Sequence, residues 1–123
     1  MKRLPDSELE LMMSLWKLDK PATRLEIEAG MGEGRQLGAT TVLSFLSRLE
    51  EKGFLSVKKV GKTNLYTALV SYDDYSKKES RNILQKMYQN SVKNFVAALY
   101  DGESISTEEL KALRDYIDEK VQD

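Results

Sequence analysis

The chain has 123 residues, 41% of them apolar and 32% charged, with a formal net charge of −1 and neither Cys nor His. That balance is ordinary for a folded chain of one domain, or of a compact head with an appended element, and it excludes wholesale disorder. Without Cys and His there are no disulfides, no thiolate or imidazole metal ligands and no histidine base, so no metal, no cofactor and no enzymatic activity are expected. No run approaches the roughly 18 apolar residues of a membrane span, and no signal-peptide pattern opens the chain, so the expected location is cytoplasmic, without membrane insertion.

Charge is unevenly placed. Residues 1–70 hold 11 Lys/Arg against 9 Asp/Glu, net +2, and residues 71–123 hold 8 against 11, net −3. The stretch from Lys52 to Asn64 carries Lys52, Lys58, Lys59 and Lys62 and no acid. A local positive patch matters more to a polyanionic partner than the total does.

Taken in chain order, Asp6 or Ser7 is placed to cap a first helix, Pro5 blocks its extension backwards, and Glu8 and Glu10 suit its opening turn. Leu9, Met12, Met13 and Trp16 repeat at i, i+3, i+4, i+7 and predict its buried face, with an end near Lys17. Pro21 breaks the chain, Ala22 leaves room for a very short strand, and Thr23 caps a second helix to about Met31, anchored by Leu25 and Ile27. Gly30, Gly32, Gly34 and Gly38 mark the connecting turn.

From Ala39 to Lys52 the stripe Val42, Phe45, Leu46, Leu49 predicts a third helix, with Gly53 where a left-handed cap is wanted. Phe54–Val60 and Asn64–Leu69 read as strands joined through Gly61, Lys62 and Thr63. Beyond Tyr72 about 29 residues pass without Gly or Pro, with Leu84, Tyr88, Val92, Phe95 and Leu99 as an apolar line. A break follows at Asp101-Gly102, and Ser106-Thr107-Glu108-Glu109 opens a last helix carrying Leu110, Leu113, Ile117 and Val121. The tail is thus expected as two helices.

The fold class that follows is mainly α with a small β-hairpin: a winged helix-turn-helix head over residues 1–70 and a helical dimerisation tail over residues 71–123. In that arrangement the third helix enters a DNA major groove. Its side opposite the stripe presents Thr40, Ser44, Ser47 and Glu51, flanked by Thr41, Leu43 and Arg48. Hydroxyls bond phosphates and base edges, and Leu43 or a Thr methyl can touch a thymine methyl. A merely solvated face would also be rich in Ser and Thr; the adjoining basic hairpin favours DNA. Lys58, Lys59 and Lys62 are read as phosphate contacts, against the alternative of edge protection. Tyr66 fits either the core or a phosphate.

The tail stripe of Leu84, Tyr88, Val92, Phe95, Leu99, Leu110, Leu113 and Ile117 has no evident partner in so short a chain. A second copy is the expected partner, against an intramolecular helix pair, and would set two groove helices on a palindromic site of double-stranded DNA. The competing functional class is a winged-helix protein-interaction module, whose mark would be an exposed apolar patch on the third helix.

Several segments together resemble the penicillinase repressor family, the BlaI/MecI/CopY group of bacterial repressors. They are Leu4-Pro5-Asp6-Ser7-Glu8-Leu9-Glu10 with Leu15-Trp16, Pro21-Ala22-Thr23, Thr41-Val42-Leu43-Ser44-Phe45-Leu46-Ser47-Arg48-Leu49, Lys52-Gly53 through Lys58-Lys59-Val60-Gly61-Lys62 with Tyr66, and Glu79-Ser80. The resemblance implies a dimer that represses transcription at palindromic operators in β-lactam resistance, and a membrane sensor and protease system that induces by cutting the tail. Asn94-Phe95 looks like the dipeptide cut in that branch, while an ungapped match through Ser106-Thr107-Glu108-Glu109 puts the position at Ala98-Leu99. The chain departs from the family in carrying Leu37, Thr40 and Leu43 where Trp, Lys and a basic or long residue are common, and it lacks the Cys-rich tail of the copper-responsive branch.

Overall fold

The structure is a computed structural model and describes residues 1–32 and 37–122; Gly34 of the predicted turn lies outside the described residues. The elements are α1 (Asp6–Leu18), α2 (Arg24–Ala29), α3 (Ala39–Glu51), β1 (Leu55–Val60), β2 (Thr63–Ala68), α4 (Tyr72–Tyr88), α5 (Val92–Asp101) and α6 (Thr107–Val121). Three helices, an antiparallel two-stranded hairpin and further helices are the order of a winged helix head with a helical tail. The chain divides into two compact units, Met1–Glu79 and Ser80–Asp123.

In the first unit, Pro5 rather than Asp6 or Ser7 stands at the start of α1, with its carbonyl accepting from the Leu9 N–H at 2.9 Å and no side-chain cap. Asp19, in the left-handed region at φ 53°, ends the helix. The buried line is Glu8, Leu11, Met12 and Leu15. Met13 is exposed, and Leu9 and Trp16 are half-buried at the edge of the core. Two apolar lines with the same helical spacing run along this segment, and periodicity alone does not choose between them.

The Thr23 hydroxyl accepts from the Glu26 N–H, and the Glu26 carboxylate accepts from the Thr23 N–H, a reciprocal cap that opens α2. The Thr23 N–H, followed by the Lys20 ammonium at 3.2 Å, holds the Glu26 carboxyl below its ordinary range. Ile27 is fully buried, whereas Leu25 is 66% exposed, so Leu25 is not an anchor of this helix. Residues two apart on a helix lie about 200° apart, and α2 can bury only one side. Ala22 pairs with Tyr66 through both backbone bonds, tying the start of α2 to the hairpin.

Val42, Leu46 and Leu49 of α3 are buried, Phe45 is half-buried, and Gly53 at φ +80° turns the chain into β1. Val60 pairs with Thr63, leaving a two-residue turn of Gly61 (φ +64°) and Lys62, so Thr63 belongs to the strand. The core gathers Leu4, the buried lines of α1 and α3, Ile27, Phe54, Leu55, Tyr66 and Tyr75. Tyr66 is therefore a core residue. Tyr75, in the first turn of α4, accepts from the Leu4 N–H at 2.8 Å and packs its ring on Phe54 and Trp16. The first turns of α4 are thus part of the head's own packing.

The second unit holds the end of α4 with α5 and α6. The single long helix expected up to Asp101 is broken at Gln89 and Asn90, both left-handed at φ 46° and 65°. Ser91 then caps α5 by accepting from the Asn94 N–H at 3.1 Å. The tail accordingly has three helices, not two. Asn tolerates the left-handed region and Ser offers a competing cap, which together stop a helix without Gly or Pro. Ser106 caps α6 as expected. No described residue from Ser80 onward is buried: Leu84, Tyr88, Phe95, Leu99, Leu110 and Leu113 are half-buried, and Val92 and Ile117 are exposed. No helix among the described residues is long and apolar enough to cross a membrane.

Candidate nucleic-acid interface

Burial of Val42, Leu46 and Leu49 orients α3 so that Thr40, Thr41, Leu43, Ser44, Ser47 and Arg48 are all exposed. The face is short-chained and neutral at its N-terminal end, with Arg48 and the exposed Glu51 further along. The Arg48 guanidinium lies 5.6 Å from the centre of the Phe45 ring, a cation–π contact that restrains it along the helix.

The lysines separate into two kinds. Lys52, expected as part of the positive patch, is turned inward: its Nζ lies 2.6 Å from Oε1 of Glu8, whose side chain is only 2% exposed. Lys58, Lys59 and Lys62 are exposed and, among the described residues, have no ion-pair partner. Strand alternation splits Lys58 from Lys59. Lys59, opposite Asn64, shares its face with Val57 and Tyr66, the face laid on the head, while Lys58 shares the other face with Ser56. Lys62 is at the tip.

Between the hairpin, α2 and α3 runs an open groove of about 230 Å³, lined among others by Arg24, Leu25, Leu43, Lys62, Asn64 and Tyr66, with no carboxylate among the described lining residues. Sequence reasoning missed Arg24, Leu25 and Asn64 here. The signal available was the two-residue spacing of Leu25 and Ile27 in a helix too short to bury both. Arg24 is engaged by Glu28 at 3.0 Å. Hydroxyls, an amide and cations around one groove suit phosphate and base-edge contacts.

Residues 4–119 match the family described as penicillinase repressor. The chain belongs to the penicillinase repressor family. Among its relatives is the methicillin resistance regulatory protein MecI of Mammaliicoccus sciuri, 28% identical over 117 residues, covering 95% of this chain and 94% of that protein. MecI of Staphylococcus aureus strain N315 is 27% identical over the same span, and the Staphylococcus aureus penicillinase repressor is 20% identical over 122 residues, covering 94% of this chain and 97% of that protein. The match extends through both compact units, so membership in the penicillinase repressor family covers the tail as well as the head.

Proposed function

We propose that this chain is a sequence-specific transcriptional repressor of β-lactam resistance genes, binding a palindromic operator as a homodimer, with no catalytic step of its own. The observation that carries the reading is the exposed hydroxyl face of α3, whose Leu43 shares a groove with Lys62 at the hairpin tip, in a member of the penicillinase repressor family. The relatives' names, which refer to methicillin resistance regulation and penicillinase repression, supply the class of regulated gene. In this reading α3 lies in the major groove, with Thr40, Thr41, Leu43, Ser44, Ser47 and Arg48 facing it, and Lys58, Lys59 and Lys62 meet phosphates beside it.

The head is assigned to DNA and the tail to self-association. Leu84, Tyr88, Val92, Phe95, Leu99, Leu110, Leu113 and Ile117 lie in a unit without a buried residue among those described, and a second copy would cover them. Two tethered heads gain roughly 10²- to 10⁴-fold over one. Cutting α5 near Asn94-Phe95 or Ala98-Leu99, by a protease under the control of a membrane sensor, would remove that gain and induce. A cytoplasmic location goes with this role.

Exposed Leu43 and Leu25 favour a protein-interaction module instead, and the groove they share, with Lys62 and no carboxylate among its described lining residues, favours a polyanion. The test is selection of duplexes from a random pool, followed by fluorescence anisotropy at 50 and 200 mM salt. Enrichment of an inverted repeat, with affinity falling about a hundredfold or more between the two salts, is expected. Absence of any enriched duplex, or affinity indifferent to salt, overturns the reading.

A further inference from the structure

Leu25 is an odd residue to leave in water. It is 66% exposed, the fully buried Ile27 already fills the core beneath α2, and Leu43 of α3 stands 43% exposed on the wall of the same groove. An exposed leucine alone means little. Two in one groove, with Lys62 and Asn64 around them, Arg24 already paired with Glu28, and no carboxylate among the described lining residues, make a small apolar spot inside a cationic and amide frame. That frame complements a polyanion, and two leucines are too few for a stable protein interface. The apolar group that duplex DNA displays beside its phosphates is the 5-methyl of thymine, at the major-groove edge.

We infer that Leu25, paired with Leu43, contacts a thymine methyl in the operator, which makes Leu25 a specificity-determining residue outside the groove helix. The inference rests on the DNA-binding reading above. The hairpin and α2 are linked through the Ala22–Tyr66 backbone pair, so Leu25, Asn64 and Lys62 are held on one side of α3 as a set. A strand lying along that side meets Lys62 and Asn64 with its phosphates and the two leucines with a base edge. A contact to a methyl group carries sequence information that the phosphate contacts lack.

The experiment uses the full chain and the duplex enriched from a random pool, with each thymine replaced in turn by deoxyuridine, which removes only the methyl. Wild type is expected to lose about fourfold in affinity at one or two positions per half-site, the worth of burying one methyl group. Leu25→Ala is expected to bind the thymine and uracil duplexes equally at one of those positions, with its melting temperature close to wild type because the side chain is exposed. Undiminished discrimination in Leu25→Ala, or loss of it in Leu43→Ala alone, removes Leu25 from the contact. Wild type blind to uracil at every position means that the leucines pack on sugar instead, and overturns the inference while leaving salt-dependent operator binding intact. Failure to enrich any duplex overturns the DNA-binding reading, and this inference with it.

Discussion

A Cβ placed on Gly30 would collide with Oγ of Ser14, a buried hydroxyl that donates to the Ile27 carbonyl at 2.7 Å. The backbone of Gly30 is otherwise ordinary, at φ −82°, so the residue is small for reasons of space. Gly30→Ala must either push the α1–α2 contact apart or rotate Ser14 off its acceptor, at a cost of about 1–3 kcal/mol. In a Ser14→Ala background the obstacle is gone, and Gly30→Ala is expected to cost less than half as much. Urea unfolding of the four proteins at one concentration, followed by Trp16 fluorescence, measures the coupling; additive losses would show that Oγ is not the obstacle. The second residue-scale contrast separates two lysines that look alike in the sequence. Lys52 answers the carboxylate of Glu8, and Lys52→Ala strands that carboxylate in the core, for a loss of about 3 kcal/mol. Lys62, exposed at the hairpin tip, contributes within about 0.5 kcal/mol to stability. Lys62→Ala should instead weaken binding to every duplex alike and lower the salt slope by about one. Equal melting of the two variants would mean that the Glu8–Lys52 pair does not hold α1 to α3.

Among the elements, the junction of α4 and α5 turns on two consecutive left-handed residues that are not glycine, Gln89 and Asn90. A β-branched side chain is an outlier in that region, so Asn90→Val should lower stability by about 1–2 kcal/mol, and Asn90→Gly should cost nothing. Thermal unfolding by circular dichroism at fixed concentration compares them; equal midpoints would argue that the helix runs on through residue 90. This break shows where the sequence stopped being legible. With no Gly or Pro near it, a helical periodicity carried straight through Gln89-Asn90-Ser91, and only the pairing of a left-handed-tolerant Asn with a capping Ser hinted otherwise. The third helix, its Gly53 cap and the hairpin were legible because apolar period and turn residues agree there. The buried face of α1 was not. Leu9-Met12-Met13-Trp16 and Glu8-Leu11-Met12-Leu15 have the same spacing, and what chose the second was a carboxylate whose partner, Lys52, lies 44 residues away. The same distance hid the site's edges: Leu25 joins Leu43 and Asn64 only through the Ala22–Tyr66 pairing, which no local pattern reports.

Across the whole molecule, the first unit carries a closed core, whereas among the described residues of the second, from Ser80 onward, no apolar side chain is buried. That difference bears on the proposed induction step. The bonds at Asn94-Phe95 and Ala98-Leu99 lie within α5, and a protease that takes an extended segment must wait for that helix to open. When opening and closing are fast relative to cutting, the cutting rate follows the population of the open form. Ser91 sets part of that population, because its hydroxyl satisfies the Asn94 N–H at 3.1 Å. Ser91→Ala removes the cap, worth about 1 kcal/mol, and should raise the rate about fivefold; Ser91→Asp, which keeps an acceptor, should leave it near wild type. The measurement is the time course of fragments ending between Asn94 and Leu99 after mixing purified protein with an activated sensor and protease system. A rate unmoved by Ser91→Ala would place the rate-limiting opening elsewhere than at the start of α5, and the absence of any fragment ending in that window would remove cleavage from the mechanism.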